Sequence, residues 1–177
     1  MANSATFSQQ NQNLSEIVSY YEDVIASVRF YYTSVSPDFE HRFVGYDQEK
    51  LTAELGDRLR EIDFQTCLVT LAALEAAFRL DYKYRCERRK RDPLSRAFRE
   101  LYRVRSLRVS LEEEIFEGWK DHSTAPASLI GELKTAFNFR HWLAHGRYWV
   151  SKPGRKYDFA IVYNLADRVL ATFPLYQ

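Results

Sequence analysis

No apolar run in the chain approaches the roughly twenty residues that a membrane-crossing helix needs. The opening MANSATFSQQNQN is polar throughout, without the charged and then greasy order of a secretory signal. A soluble, cytoplasmic protein with no membrane partner is the expectation. Cysteine is scarce: Cys67 and Cys86 are the only two. Neither belongs to a CxxC or Cys/His spacing, and each sits among aliphatic or aromatic neighbours in a helical pattern, so both are expected to be reduced and structural. Apolar and polar positions never alternate for more than a few residues, which leaves no candidate strand except a brief extended RYWV at 147–150. No segment repeats another, and no linker is long enough to separate two domains. The net charge of +1 points to no partner by itself.

What is present is a helical pattern over most of 177 residues, 46% of them hydrophobic, which is enough for one complete core. Residues 1–12 have no periodicity and read as a flexible arm; residues 13–177 read as one all-α bundle of five to six helices. Asn13 and Glu16 make a capping box for a helix over 14–34, with Ile17, Tyr21, Val24, Val28 and Tyr31 on one face. Pro37 and Gly45 break the pattern. Helical spacing resumes from Asp47 to about Arg91, with a break expected near Gly56–Asp63, and its inward face is Cys67, Leu71, Leu74, Phe78 and Tyr82. Asp92-Pro93 caps the next helix. Its Leu94, Phe98 and Leu101 point inward, and Arg96, Arg99 and Arg103 point out. Ser110 with Glu113 makes a second capping box ahead of Leu111, Ile115 and Trp119. A helix from about Pro126 to His145 is stopped by Gly146, and Asp158 caps a last one carrying Ile161, Leu165 and Val169.

Charge is segregated along this pattern. Up to Glu75 there are twelve acids and five bases; from Arg79 to Arg108 there are twelve bases and four acids. Tyr82 and Tyr84 interleave the basic run KYRCERRKR, an arrangement suited to an RNA backbone. The residues expected to touch RNA are Lys83, Arg85, Arg88, Arg89, Lys90, Arg91, Arg96, Arg99 and Arg103. Their alternative is a solvated helical face.

The sharpest feature is FNFRHWLAHGRYW at 137–149. Leu129, Leu133, Ala136, Phe137, Leu143 and Ala144 form the apolar stripe of this helix, and Arg140 falls in the gap between Phe137 and Leu143. An inward guanidinium must be paired, hydrated in a cleft or placed at a subunit interface. His141 and His145 are one turn apart on one side of the helix. Histidine serves as base or acid near neutral pH, and the planar arginine fork matches phosphate oxygens. Two imidazoles and a guanidinium therefore supply what metal-free RNA cleavage requires: a base for the 2′-hydroxyl, an acid for the leaving 5′-oxygen and donors for the phosphorane. Glu75 is placed to hold Arg140, with Arg79 one turn on as a competitor for the same carboxylate.

Arg140-His141-Trp-Leu-Ala-His145-Gly resembles the signature of the HEPN superfamily: an Arg, a polar residue, and a His after four to six intervening residues, near the end of a late helix in a small all-α domain. The resemblance spans residues 14–173. It implies a homodimer in which two such motifs face each other across a cleft, cutting RNA without metal or other cofactor to leave a 2′,3′-cyclic phosphate and a 5′-hydroxyl. Arg140, His141 and His145 take the motif positions. The family also implies toxin or antiviral defence biology with an antitoxin or defence-system partner. In some members an antitoxin modifies a tyrosine two residues after the motif His; here Arg147 holds that place and Tyr148 follows it.

Three other readings of the same residues stand beside this one. A catalytically silent helical module could bind RNA or a protein through the same surface. The spacing HWLAH matches two zinc ligands of the HExxH type, although Trp142 takes the place of the glutamate base and no third ligand is evident. The histidines and Arg140 could also be structural groups satisfied by the core. His41 and His122 fall in expected loops and receive no role.

Overall fold

Forty consecutive residues, Gln48–Glu87, form one helix, about 60 Å long at 1.5 Å per residue, and the other helices pack along it. The computed structural model describes residues 12–149 and 156–176. The expected arm at 1–12 lies outside the described residues except for Gln12, and so does Val150 of the RYWV segment. In chain order the helices are α1 (Leu14–Tyr31), the single turn α2 (Phe39–Arg42), α3 (Gln48–Glu87), α4 (Pro93–Arg105), a π-helical turn (Leu111–Ile115) leading into α5 (Phe116–His122), α6 (Ala127–Ala144) and α7 (Phe159–Thr172). The described residues contain no strand, and none of their helices is long and apolar enough to cross a membrane.

The helix starts follow local chemistry. Asn13 accepts from the Glu16 N–H at 2.9 Å while its own N–H donates to the Glu16 carboxylate. Asp47, Asp92 and Asp158 each accept from the N–H three residues on, satisfying donors that a first turn leaves orphaned. The break expected near Gly56 does not occur. The ion pairs Glu54–Arg58 and Asp57–Arg60 bridge that stretch, and Glu54 also accepts from the hydroxyls of Tyr32 and Tyr46. These contacts offset the roughly 1 kcal/mol that a mid-helix glycine costs.

At the start of α5 the capping pattern shifts by one residue. The Ile115 N–H reaches back to Ser110 O at 3.0 Å, five residues away, so the turn is π-helical. Ser110 Oγ accepts from Glu113 N–H as expected, but the carboxylate that returns to the Ser110 N–H belongs to Glu114. The wider turn lets Leu111, Ile115 and Phe116 all face the core. The core centres on Phe78, whose ring meets Phe116, Trp119 and Phe173 edge-on. Gly118 keeps α4 close: a Cβ there would stand 2.5 Å from the Phe98 ring.

The inward faces of three helices differ from the sequence pattern at their ends. α1 stops at Tyr31, which is exposed, and only its Ile17 is fully buried. In α6 the buried stripe is Leu129, Ile130, Leu133, Ala136 and Phe137. Leu143 is half-buried and Ala144 exposed, because the last turn of α6 reaches the surface. In α7 the buried set is Phe159, Val162, Leu165, Ala166 and Val169, with Ile161 half-buried. Cys67 and Cys86 are free and buried, and burial pushes each thiol up to about 12.

Candidate active site

The end of α6 carries the arginine and both histidines, and α3 and the π turn meet it there. Arg140 is half-buried and forms an ion pair with Glu75 on α3, its Nη2 standing 2.9 Å from Oε2. The other oxygen of Glu75 accepts from Arg79 Nε at 2.7 Å, and Arg79 Nη1 also donates to the Val109 carbonyl. One carboxylate thus holds both guanidiniums that compete for it. The Arg140 Nε is buried without a hydrogen-bond partner among the described residues, while 27% of the side chain stays in solvent.

His141 turns the other way. Its Nε2 stands 3.0 Å from Oε1 of Glu112, in the π turn. An ionised carboxylate can only accept, so this contact holds the hydrogen on Nε2 and leaves Nδ1 as the nitrogen available for proton transfer. The His145 ring lies over His141, centroids 6.2 Å apart and planes 13° apart. His145 caps α6 and is exposed, and its imidazole forms no hydrogen bond among the described residues; the ring's second neighbour is Trp149 at 6.3 Å. No hydrogen bond or ion pair joins Arg140 to His145 among the described residues.

The turn after His145 is a Schellman motif: Arg147 N–H donates to Trp142 O and Gly146 N–H to Leu143 O, with Gly146 at φ 78°. The guanidinium of Arg147 makes two hydrogen bonds to Glu61, which hold that carboxyl below its ordinary range. Tyr148 projects into solvent beside Trp149.

The basic segment divides in two. Arg88, Arg89, Arg91 and Arg96 are exposed, and Arg103 is exposed and paired with Glu100. Lys90 lies against the Tyr176 ring and Arg88 against that of Tyr84, while Lys83 approaches Glu87 at 3.7 Å. Arg99 is half-buried, with its Nη1 fully so. Arg85 departs from the expected RNA surface: it is 4% exposed and points inward. Asp81, Asp92, Ser95 and the Pro174 carbonyl accept its hydrogens, and the rings of Trp119 and Tyr176 cover its faces. A guanidinium so enclosed is out of reach of a phosphate. The exposed basic tip at Arg88 lies about 20 Å along α3 from Glu75, at 1.5 Å per residue.

Sequence reading missed Glu112, Glu61 and Trp149. The run Glu112-Glu113-Glu114 gave no sign of which glutamate would face α6, since the π turn that decides it is set by packing. Among the described residues no three His, Cys, Asp or Glu side chains come together in a set that could hold a metal ion. A cleft between α1 and α3, lined by Ile17, Tyr21, Val24, Ile62 and Val69, includes none of the site residues. Comparison with protein-family models finds no match, and neither the curated proteins nor the solved structures contain a similar chain.

Proposed function

We propose that this chain is a metal-independent endoribonuclease of the HEPN type, active as a homodimer in the cytoplasm. The observation that carries the reading is the pair of stacked, solvent-reachable imidazoles at the end of α6, beside an arginine that keeps part of its side chain in solvent. In this reading His145 is the principal acid/base. His141 shares the proton work through Nδ1, while Arg140, set by Glu75 with Arg79 behind it, stabilises the charge of the pentavalent phosphate. Attack of the 2′-oxygen on phosphorus and departure of the 5′-oxygen leave a 2′,3′-cyclic phosphate and a 5′-hydroxyl. A twin subunit would bring a second Arg/His set across the cleft, which suits the absence of a direct link between Arg140 and His145 in one protomer. Arg88, Arg89, Lys90, Arg91, Arg96 and Arg103 would hold the RNA backbone through charge, without sequence preference. Toxin or defence activity with an antitoxin or activating partner extends the same reading.

One observation favours a second reading, a helical module that binds RNA or protein without cutting: the ion pair of Arg140 with Glu75 is what a purely structural arginine would also make. Purified protein incubated with labelled RNA in excess EDTA separates the two. The nuclease reading expects cleavage that is lost in folded Arg140→Ala and His145→Ala variants. RNA that stays bound and intact in every case supports the module.

A further inference from the structure

The turn that follows α6 is restrained more than an exposed connection requires. Gly146 and Arg147 both have left-handed backbone, φ 78° and 58°, a conformation that a residue with a Cβ rarely adopts. Arg147 is tied to Glu61, 86 positions away, by bonds of 2.7 and 3.1 Å, and its guanidinium lies 5.5 Å from the Phe64 ring centre. Trp142 Nε1 donates to the Trp149 carbonyl at 2.8 Å, fastening the far side of the turn to α6. What these restraints hold in place is a Tyr-Trp pair at the surface. Tyr148 is 82% exposed and Trp149 37%, with ring centroids 4.7 Å apart and planes 82° apart, so that each ring keeps a face of its own. The row of rings continues inward through His145 to His141.

We propose that Tyr148 and Trp149 are a stacking platform that holds an unpaired base of the RNA next to the scissile phosphate. The assignment rests on the ribonuclease reading of the adjacent histidines. Any nucleobase presents a π-face, so stacking on a pre-set aromatic gives affinity without sequence preference. A duplex keeps its bases inside the helix and cannot use the platform. A protein partner fits less well. A stable interface takes about 800 Å² from each side, whereas two partly covered rings offer a small fraction of that. The groups tied to this turn are the polar Arg147, Glu61 and two histidines and the aromatic Trp142 and Phe64, with no aliphatic side chain among them.

The test measures binding apart from cutting. The full chain is titrated into a short labelled single-stranded RNA whose 2′-hydroxyls are methylated, so that it cannot be cleaved, and into the same strand as a duplex. Trp149→Ala and Tyr148→Ala are each expected to weaken single-strand binding about tenfold while leaving duplex binding unchanged. Tyr148→Phe keeps the ring and is expected to bind as the parent does. So is Tyr20→Ala, which removes an exposed aromatic on α1. Thermal melts followed by circular dichroism check the fold; the backbone carbonyl of Trp149, not its ring, receives the Trp142 bond, so the turn should survive. Unchanged binding in both alanine variants overturns the proposal, as does Tyr148→Phe losing as much as Tyr148→Ala, or a parent protein that binds no single strand. Variants that become monomers yet keep their RNA affinity would mark the platform as a protein contact instead. If unmodified RNA is bound but never cut, the nuclease reading fails while the stacking result stands by itself.

Discussion

Two arginines in this molecule, Arg85 and Arg140, each sit against a carboxylate on α3, and the difference between them separates what holds the protein together from what is left for a ligand. Arg85 is enclosed. All three of its nitrogens donate, both faces are covered by rings, and it joins the end of α3 to the start of α4, to α5 and to the tail after α7. Burial pushes the Asp81 carboxyl upward, against the donors from the Tyr176 N–H and Arg85 that favour its charge. Arg140 makes one ion pair, leaves its Nε without a partner, and keeps 27% of its side chain in solvent. An enclosed guanidinium serves the fold. One that is partly in solvent and held by a single carboxylate can still meet an anion.

Substitution at Arg85 is the strongest way to break this comparison. Arg85→Ala strands Asp81 as an uncompensated buried charge and is expected to cost about 3–5 kcal/mol in urea unfolding. A near-neutral result would mean that the enclosed network contributes little. Arg140→Ala should behave in the opposite manner. Its partly exposed pair with Glu75 is worth about 1 kcal/mol or less of stability, whereas RNA cleavage should fall at least a hundredfold, on the scale of losing a transition-state donor. Arg140→Lys tests the fork itself, since a lysine restores charge but not planar donors, and it should recover little activity. A smaller effect is expected at Glu112. Glu112→Ala frees the His141 ring and should slow cleavage about tenfold with an unchanged melt, while Glu112→Gln, which keeps an acceptor for Nε2, should retain most activity. Equal loss in both variants would show that the charge, rather than the tautomer, matters.

The smallest effects belong to the core. Native Cys67 and Cys86 should resist iodoacetamide at pH 8 and react only when urea unfolds the chain, because burial holds both thiols up at about 12. Burial and the hydrogen bond to Asp63 likewise raise Tyr21 to about 12. Groups whose folded values lie above their unfolded ones contribute stability that is complete below the unfolded value and is lost as pH rises through the folded one. Melting temperature should therefore hold steady to about pH 9, where the unfolded thiol begins to ionise, and decline from there toward pH 12.

The sequence carried the caps and the periodic core well, because both depend on residues within one turn of each other. Asn13 with Glu16, Asp92 with Pro93, Asp158, and Gly146 at the end of α6 all act where local chemistry puts them. Cys67, Leu71, Leu74, Phe78 and Tyr82 face inward as their spacing requires. The contact of Glu75 with both Arg140 and Arg79 was also legible, from a carboxylate beside an apolar stripe. What spacing did not disclose depends on distant partners. Arg85 looked like its neighbours in KYRCERRKR; only the arrival of Trp119 and the C-terminal tail over that position turns it inward. The bond from His141 to Glu112 needs a π turn, and that of Arg147 to Glu61 spans most of the chain. Gly56 misled in the other direction, because tyrosine hydroxyls from the preceding loop support the helix at Glu54.

The central claim is that the exposed imidazoles and the partly exposed guanidinium at the end of α6 cut RNA by internal attack of the 2′-oxygen. End-group analysis of RNA incubated with the wild-type chain in excess chelator tests it most directly. The expected products carry 2′,3′-cyclic phosphate and 5′-hydroxyl ends. Products with 5′-phosphate and 3′-hydroxyl ends, or RNA left whole, would contradict it.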